Sequence, residues 1–293
     1  MRYVPKRLVL PPGLPGAHIR ALPDRGEVFY RHHKGGRPGR PTLLLLHGWT
    51  ASADLQWFTA YEALAAEYPF VAIDHRGHGR GIRADEPFTL EDAADDAAAL
   101  VQHLGVGPVV AVGYSMGSPI SLLVAQRHPA LASGLVLEAT SLEWQSTVSD
   151  RLTWRGLMIL EIFLRSRAAR WLGRRAVRRL AEANPEIDPY LGWIQAEARR
   201  GDPTEIIEAG RALSHFDARP FAPRLGLPAA VVVTTEDRAV RPAKQRALAA
   251  AVGGRVFELA GDHFCFWADA KEFADLTRIA VDDVVSRLPV ARV

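Results

Sequence analysis

A serine flanked by two glycines carries the clearest chemical signal in this chain of 293 residues. Gly113, Ser115 and Gly117 form a G-x-S-x-G motif that follows the apolar run 109–112 and precedes a helical pattern. On such a strand-to-helix turn the hydroxyl stands above the sheet edge, because only residues without a Cβ atom let strand and helix pack that closely. The same glycines could serve a tight turn alone. The flanking elements favour covalent catalysis by Ser115, which requires a base nearby.

Candidates for that base and for an acid to orient it come directly after two later apolar runs. His263 follows the run 256–259, and Glu236 and Asp237 follow the run 230–233. Acids at strand ends also cap turns, so position alone does not assign them. Other histidines stand in helical or pre-turn settings that a surface or core role explains equally well: His103, His128 and His215.

Short apolar runs alternate with longer helical patterns, as in parallel strands joined by crossover helices. Runs such as LLLL and VVV are apolar at every position, which suits strands covered on both faces. The predicted strands of this sheet are 42–46, 70–73, 109–112, 135–137, 230–233 and 256–259, with an edge hairpin at 17–22 and 27–31. The predicted helices are 54–67, 116–127, 243–252, 271–287 and one that starts at Thr89 and ends at Gly105.

One long stretch interrupts this alternation, because residues 141–223 contain helical patterns and no convincing strand. We therefore predict an α/β core formed by residues 1–140 and 224–293, with residues 141–223 as an inserted, all-helical unit. Within it, Leu172 and Leu180 share a helix face opposite Arg170 and Arg174. That basic helix could contact anionic lipid or an acidic carrier protein, or simply present a solvated face over a buried stripe.

Three further segments, together with the serine turn, resemble the α/β-hydrolase superfamily over nearly the whole chain. A buried strand runs into His47-Gly48-Trp49, the next strand into the D-x-R-G-x-G stretch at 74–79, and the last into His263. The resemblance implies an α/β fold with a mostly parallel central sheet flanked by helices and an inserted helical cap. It also matches the order in which Ser115, the acid and His263 occur along the chain.

The resemblance assigns roles to individual residues. Ser115, Asp237 and His263 correspond to nucleophile, acid and base, and the backbone N–H groups of Trp49 and Met116 to the oxyanion hole. In this family the acid precedes V-x-P by three residues, which selects Asp237 over Glu236. Some relatives place the acid at the end of an earlier strand. There this chain has a second candidate, Glu138.

Two smaller features bear on the same assignment. His47 is predicted to be structural, bonding backbone in the oxyanion loop. Most relatives have glycine immediately before the histidine, whereas Asp262 separates Gly261 from His263 here, which leaves the geometry of that loop open.

The predicted reaction is cleavage of a carboxylic ester, lactone or thioester through an acyl-enzyme on Ser115. Serine at this position argues against the epoxide hydrolases and haloalkane dehalogenases of the same fold, which use a carboxylate nucleophile. An acyltransferase with the same triad and a ligand-binding protein with little turnover are the alternatives. This reaction requires no cofactor, and no metal is predicted, because His75 and His78 lack further residues with ligand spacing.

Composition limits the partners. The formal net charge is +3 and the pI about 9.2, too weak an excess to indicate nucleic acid binding. No apolar stretch reaches the roughly 20 residues that a membrane-spanning helix needs, and no signal peptide is recognisable. The single cysteine, Cys265, fits a reducing compartment, so a cytoplasmic location is predicted. The oligomeric state stays open.

The expected partner is a small, apolar acyl substrate. Several aromatic side chains could line its pocket or belong to the core: Trp49, Trp57, Trp144, Trp154, Phe264 and Trp267.

Overall fold

The computed structural model describes residues 8–165, 171, 175, 178, 179 and 184–289. In these residues eight strands form one sheet in the order β1-β2-β4-β3-β5-β6-β7-β8. The strands are β1 (Gly16–Leu22), β2 (Gly26–His33), β3 (Leu43–Leu46), β4 (Phe70–Ile73), β5 (Val109–Tyr114), β6 (Ala132–Glu138), β7 (Ala229–Thr234) and β8 (Arg255–Leu259). The β1–β2 and β2–β4 pairs are antiparallel, and all the others are parallel. The predicted fold, a mostly parallel α/β sheet, is confirmed.

Helices cover both faces of this sheet. Those described are α1 (Ala53–Trp57), α2 (Tyr61–Ala65), α3 (Leu90–Leu104), α4 (Gly117–Arg127), α5 (Val148–Arg165), α6 (Leu191–Glu197), α7 (Pro203–His215), α8 (Pro242–Val252), α9 (Cys265–Ala268) and α10 (Ala270–Ser286). The ends of α3 follow its sequence signals: the Thr89 side chain accepts a hydrogen bond from the Asp92 N–H, and Gly105 closes the helix in the left-handed region.

Alternate residues of each central strand enter two separate apolar clusters. Leu44 and Leu46 pack with α3, α4 and α8, whereas Leu43 and Leu45 pack with α2 and α10. All four leucines are fully buried, so neither face of β3 tolerates a polar side chain. The unbroken apolar runs of the sequence follow from this arrangement.

One predicted helix differs in the structure. Residues 54–67 form two short helices, α1 and α2, instead of one. The chain turns between them, where the Ala60 N–H bonds the Trp57 carbonyl and the Thr59 hydroxyl donates to the Phe266 carbonyl. The chain thus contacts α9 at the point where a continuous helix would have formed another turn.

Between β6 and β7 the described residues contain α5, α6 and α7, with one isolated bridge between Glu143 and Asp217. The division into a core and a 141–223 unit stays a prediction. The basic helix predicted around Arg170 and Arg174 lies largely outside the described residues. Within the described part of the chain, no helix combines the length and apolarity needed to cross a bilayer.

Candidate active site

The turn after β5 places Ser115 in a strained position. Its φ is 51°, in the left-handed region, which costs a non-glycine residue about 1–3 kcal/mol. A Cβ atom added at Gly113 would lie 2.4 Å from the Gly117 carbonyl, and one added at Gly117 would lie 2.0 Å from the Leu46 carbonyl oxygen. Both glycines are therefore required by close backbone approach, as the motif predicted.

The structure brings Ser115, His263 and Asp237 into one hydrogen-bonded chain. His263 Nδ1 lies 2.7 Å from Asp237 Oδ2, and His263 Nε2 lies 3.0 Å from Ser115 Oγ. Because Nδ1 faces an acceptor-only carboxylate, the ring proton belongs there and Nε2 is left to accept from the Ser115 hydroxyl. This geometry lets the imidazole remove the hydroxyl proton during nucleophilic attack.

Asp237 is buried and kept ionised by its surroundings. Its Oδ1 accepts the N–H groups of Ala239 and Val240, each at 2.8 Å, and its Oδ2 accepts the Thr234 hydroxyl at 2.9 Å. Burial by itself raises the pKa of Asp237, but His263 and these hydrogen bonds outweigh it and hold the pKa below its ordinary value. Gln245, which no sequence motif marks, holds the residues around Asp237 in place. Its side-chain amide donates to Thr234 Oγ1 and to the Val240 carbonyl.

Glu138, the alternative acid, does not contact His263. Its side chain lies fully buried beneath the site, where Oε1 accepts the Thr277 hydroxyl at 2.9 Å and Oε2 has no hydrogen-bond partner among the described residues. Burial raises the pKa of Glu138 to about 8, against the opposing effect of Thr277. The carboxyl is therefore neutral at pH 7, unlike that of Asp237.

The buried Glu138 predicts a pH-dependent stability. The unfolded chain ionises this group near 4.5, whereas the folded chain keeps it protonated up to about 8, so its contribution falls as pH rises across this window. We expect Glu138→Gln to gain stability over wild type by a few kcal/mol more at pH 8 than at pH 5, since one pKa unit corresponds to about 1.4 kcal/mol. Urea unfolding at both pH values measures this. Glu236→Gln, at an exposed position, serves as the control, and a pH-independent difference for Glu138→Gln would contradict the prediction.

The loop after β3 packs directly against Ser115. A Cβ atom added at Gly48 would lie 3.4 Å from the Ser115 Cβ, which places the backbone of the predicted donor Trp49 next to the site. His47 stabilises this loop, because its Nδ1 contacts the Gly48 carbonyl at 2.8 Å and its Nε2 accepts the His75 N–H at 3.0 Å. Burial, and then the neighbouring histidines, hold the pKa of His47 well below its ordinary value, so the ring is neutral.

The other predicted donor, Met116, is fully buried at the residue that precedes α4. The two predicted donors thus belong to two segments: Trp49 to the loop after β3, and Met116 to the turn that carries Ser115. Their part in binding an oxyanion stays a prediction.

Trp49 also connects this loop to α7. Its indole Nε1 donates to the Ile206 carbonyl at 2.6 Å. Its ring lies against Gly210, where an added Cβ atom would be 2.4 Å from Trp49 Cζ2 and 2.8 Å from Met158 Sδ. The predicted oxyanion loop therefore depends on the helices between β6 and β7 for its position.

Gly210→Ala tests this dependence. We expect the extra methyl group to displace Trp49, to lower stability by about 1–3 kcal/mol and to lower kcat for a short-chain ester about 10- to 100-fold. Gly156→Ala is the matched control, because a Cβ atom there meets nothing within 4 Å. Steady-state kinetics and thermal unfolding of both variants provide the measurement. A wild-type kcat for Gly210→Ala would show that the position of Trp49 does not limit the reaction.

Tyr114, which no motif of the sequence marks, joins the turn that carries Ser115 to the loop that carries His263. Its buried hydroxyl donates to the His263 carbonyl at 3.0 Å.

Asp262, the residue that separates Gly261 from His263, closes a turn around His263. Its Oδ1 accepts the Phe264 N–H at 2.7 Å. The departure from the family pattern is thus accommodated locally.

The aromatic side chains proposed to line the substrate pocket lie in different parts of the structure. Trp57 and Trp267 belong to the core, where the Trp57 ring stacks on Phe273 at 5.9 Å and the Trp267 indole donates to the Leu55 carbonyl. The rings of Trp49, Trp144 and Trp154 cluster beside the oxyanion loop, with Trp154 at 5.8 Å from Trp49 and 5.4 Å from Trp144, and Phe264 is exposed next to His263.

The histidine candidates also lie apart from the site. His128 pairs with Asp95, and His215 Nδ1 contacts the Arg211 carbonyl. His75 packs against His47 in the oxyanion loop, at 4.2 Å between ring centroids. No group of three or more His, Cys, Asp or Glu in the described residues is arranged to hold a metal ion.

The comparisons with known proteins agree with this fold. The family described as "alpha/beta hydrolase fold" matches residues 41–270, and the chain belongs to this family. It is 30% identical to a pimeloyl-[acyl-carrier protein] methyl ester esterase of Neisseria meningitidis over 83% of this chain and 94% of that protein. A non-heme haloperoxidase of Rhodococcus erythropolis is 37% identical over a shorter region, 36% of this chain and 38% of that one.

Among solved structures, the enol-lactonase from Burkholderia xenovorans LB400 superposes with a TM-score of 0.75 at 26% identity, covering 91% of this chain and 99% of that chain. The family and these relatives identify the chain as a hydrolase enzyme.

Proposed function

We propose that this chain is a serine hydrolase that cleaves an ester-type acyl bond through an acyl-enzyme on Ser115. The observation that carries the proposal is the hydrogen-bonded chain from Asp237 through His263 to Ser115, with contacts of 2.7 and 3.0 Å. The strained backbone of Ser115 and the retained charge of Asp237 support it. A purely structural cluster would not need a serine hydroxyl on strained backbone facing an imidazole nitrogen.

The reaction follows from these positions. Ser115 Oγ attacks the substrate carbonyl carbon while His263 Nε2 takes its proton, and the N–H groups of Trp49 and Met116 bind the negative oxygen. His263 then protonates the leaving oxygen or sulfur as the first product departs. Water, deprotonated by His263, attacks the acyl group and frees Ser115. Asp237 holds the imidazole in the required tautomer throughout, and no cofactor takes part.

Carboxylic esters, lactones and thioesters are the substrates that this cycle fits. A relative named for methyl ester hydrolysis and a structural neighbour named as an enol-lactonase support the ester and lactone classes. We further propose that residues 141–223 form a cap over Ser115, since α7 holds Trp49 through Ile206. The apolar character of the substrate and the cytoplasmic location remain predictions from the sequence.

Labelling with a fluorophosphonate tests the proposal. We expect stoichiometric labelling of the native protein, with mass spectrometry of the digest placing the label on Ser115. Turnover of short-chain p-nitrophenyl esters and lactones should accompany it. Absence of both labelling and turnover would favour the ligand-binding alternative. Faster product formation with an added alcohol than in water alone would favour acyl transfer.

A further inference from the structure

Two unpaired arginines face one groove between α5 and α7. Arg155 on α5 and Arg211 on α7 line this groove, which has a volume of about 520 Å³. Both side chains are exposed, and neither forms an ion pair with a carboxylate in the described part of the chain. None of the described lining residues is Asp or Glu. Two cations without a local counter-charge create a positive potential, so the groove favours an anion.

The floor of the same groove is apolar. Trp154 is 6% exposed and Met158 is half-buried, while Ile159 extends along the outer edge with 68% exposure. The Trp154 ring packs edge-on against Trp144, with 5.4 Å between ring centroids. An extended alkyl chain could cover this surface and remove it from water.

We propose that this groove binds an aliphatic carboxylate. The carboxylate lies between the guanidinium groups of Arg155 and Arg211, which suit its planar geometry, and the alkyl chain lies along Trp154 and Met158. The volume fits one single-chain ligand, since small-molecule sites span roughly 300–1,000 Å³. Ser115, Asp237 and His263 do not line the groove, so this site is distinct from the catalytic one and goes beyond the proposed function.

The groove also adjoins the oxyanion loop. Trp154 packs on Trp49 at 5.8 Å between ring centroids, and Met158 and Trp49 both occupy the space that a Cβ atom at Gly210 would need. A ligand in the groove therefore contacts Trp154 and Met158, the side chains that lie next to Trp49.

Isothermal titration calorimetry with decanoate, a free carboxylate that the proposed reaction cannot cleave, tests the site in the native protein. We expect saturable binding that weakens by up to about fourfold for each methylene removed from the chain. Replacing both arginines, Arg155→Gln with Arg211→Gln, should weaken binding about 10-fold or more through loss of the charged hydrogen bonds. Glutamine keeps the helix propensity of arginine, so α5 and α7 should persist.

The matched control is Arg20→Gln. Arg20 is exposed on β1 and does not line the groove, so its replacement removes the same charge from elsewhere on the surface. Its affinity for decanoate should equal that of the parent. Equal affinity for decanol would overturn the inference, as would a double variant that binds like the parent because decanoate occupies the catalytic site alone. Failure of labelling at Ser115 would contradict the proposed function and leave this binding result unaffected.

Discussion

Ser115→Ala is expected to lower ester hydrolysis about 10⁴- to 10⁶-fold and to abolish fluorophosphonate labelling. No covalent intermediate can form without the hydroxyl, and what remains is oxyanion stabilisation of attack by water. The variant should fold, because alanine and serine both carry a Cβ atom and bear the left-handed backbone at φ 51° at similar cost. Single-turnover kinetics with a p-nitrophenyl ester measure the residual rate.

Ser121→Ala provides the matched control. Ser121 is equally buried and lies in α4, which follows the nucleophile, but its hydroxyl donates to the Gly117 carbonyl at 2.9 Å instead of facing His263. We expect it to cost about 1 kcal/mol of stability and to leave labelling complete. Retained labelling in Ser115→Ala would place the nucleophile elsewhere.

Asp237→Asn is expected to lower kcat about 10⁴-fold with little change in KM. The Ala239 and Val240 N–H groups both require an acceptor at the Oδ1 position, so the amide oxygen occupies it. The amide nitrogen then faces His263 Nδ1 and donates to it. This forces the ring proton onto Nε2, which can no longer accept the proton of Ser115.

Two control variants test whether the effect is specific to Asp237: one removes a neighbouring negative charge, and the other replaces a buried carboxyl that is neutral at pH 7. Glu236→Gln changes the exposed neighbouring acid, and Glu138→Gln changes the alternative acid that contacts Thr277. Both should retain kcat within about threefold of wild type, whereas loss of the triad acid should lower kcat by up to about 10⁴-fold. A loss in Glu138→Gln comparable to that in Asp237→Asn would assign the orienting role to Glu138.

The sequence is informative wherever function depends on local backbone geometry. The close approach of Gly117 to Leu46 allows no side chain at that position, so the turn around Ser115 leaves a short and recognisable motif. The central strands are similarly evident, because burial on both faces excludes polar residues from β3. Such features can be recognised from residues that are neighbours in the sequence.

Other contacts could not be predicted, because they join distant segments through the main chain. Tyr114 bonds a carbonyl 149 residues further on, and Trp49 bonds one 157 residues further on, and a carbonyl acceptor places no constraint on residue type. The choice between Asp237 and Glu138 also required the structure, since Glu138 ends β6 and Asp237 follows β7, and the carboxyl ends of these parallel strands meet at the same sheet edge. Trp57 packs in the core and Trp154 beside Trp49, and the residues adjacent to each in the sequence do not indicate this difference.

The hydroxyl of Tyr114 has a consequence for engineering this protein. Because the residue before the nucleophile supports the main chain of the loop around His263, these two segments form one exchangeable module. A base loop grafted from another family member keeps this anchor only if its main chain places a carbonyl within reach of the Tyr114 hydroxyl. Libraries that recombine such enzymes between β5 and α9 should therefore yield active chimaeras mainly when both segments come from one parent.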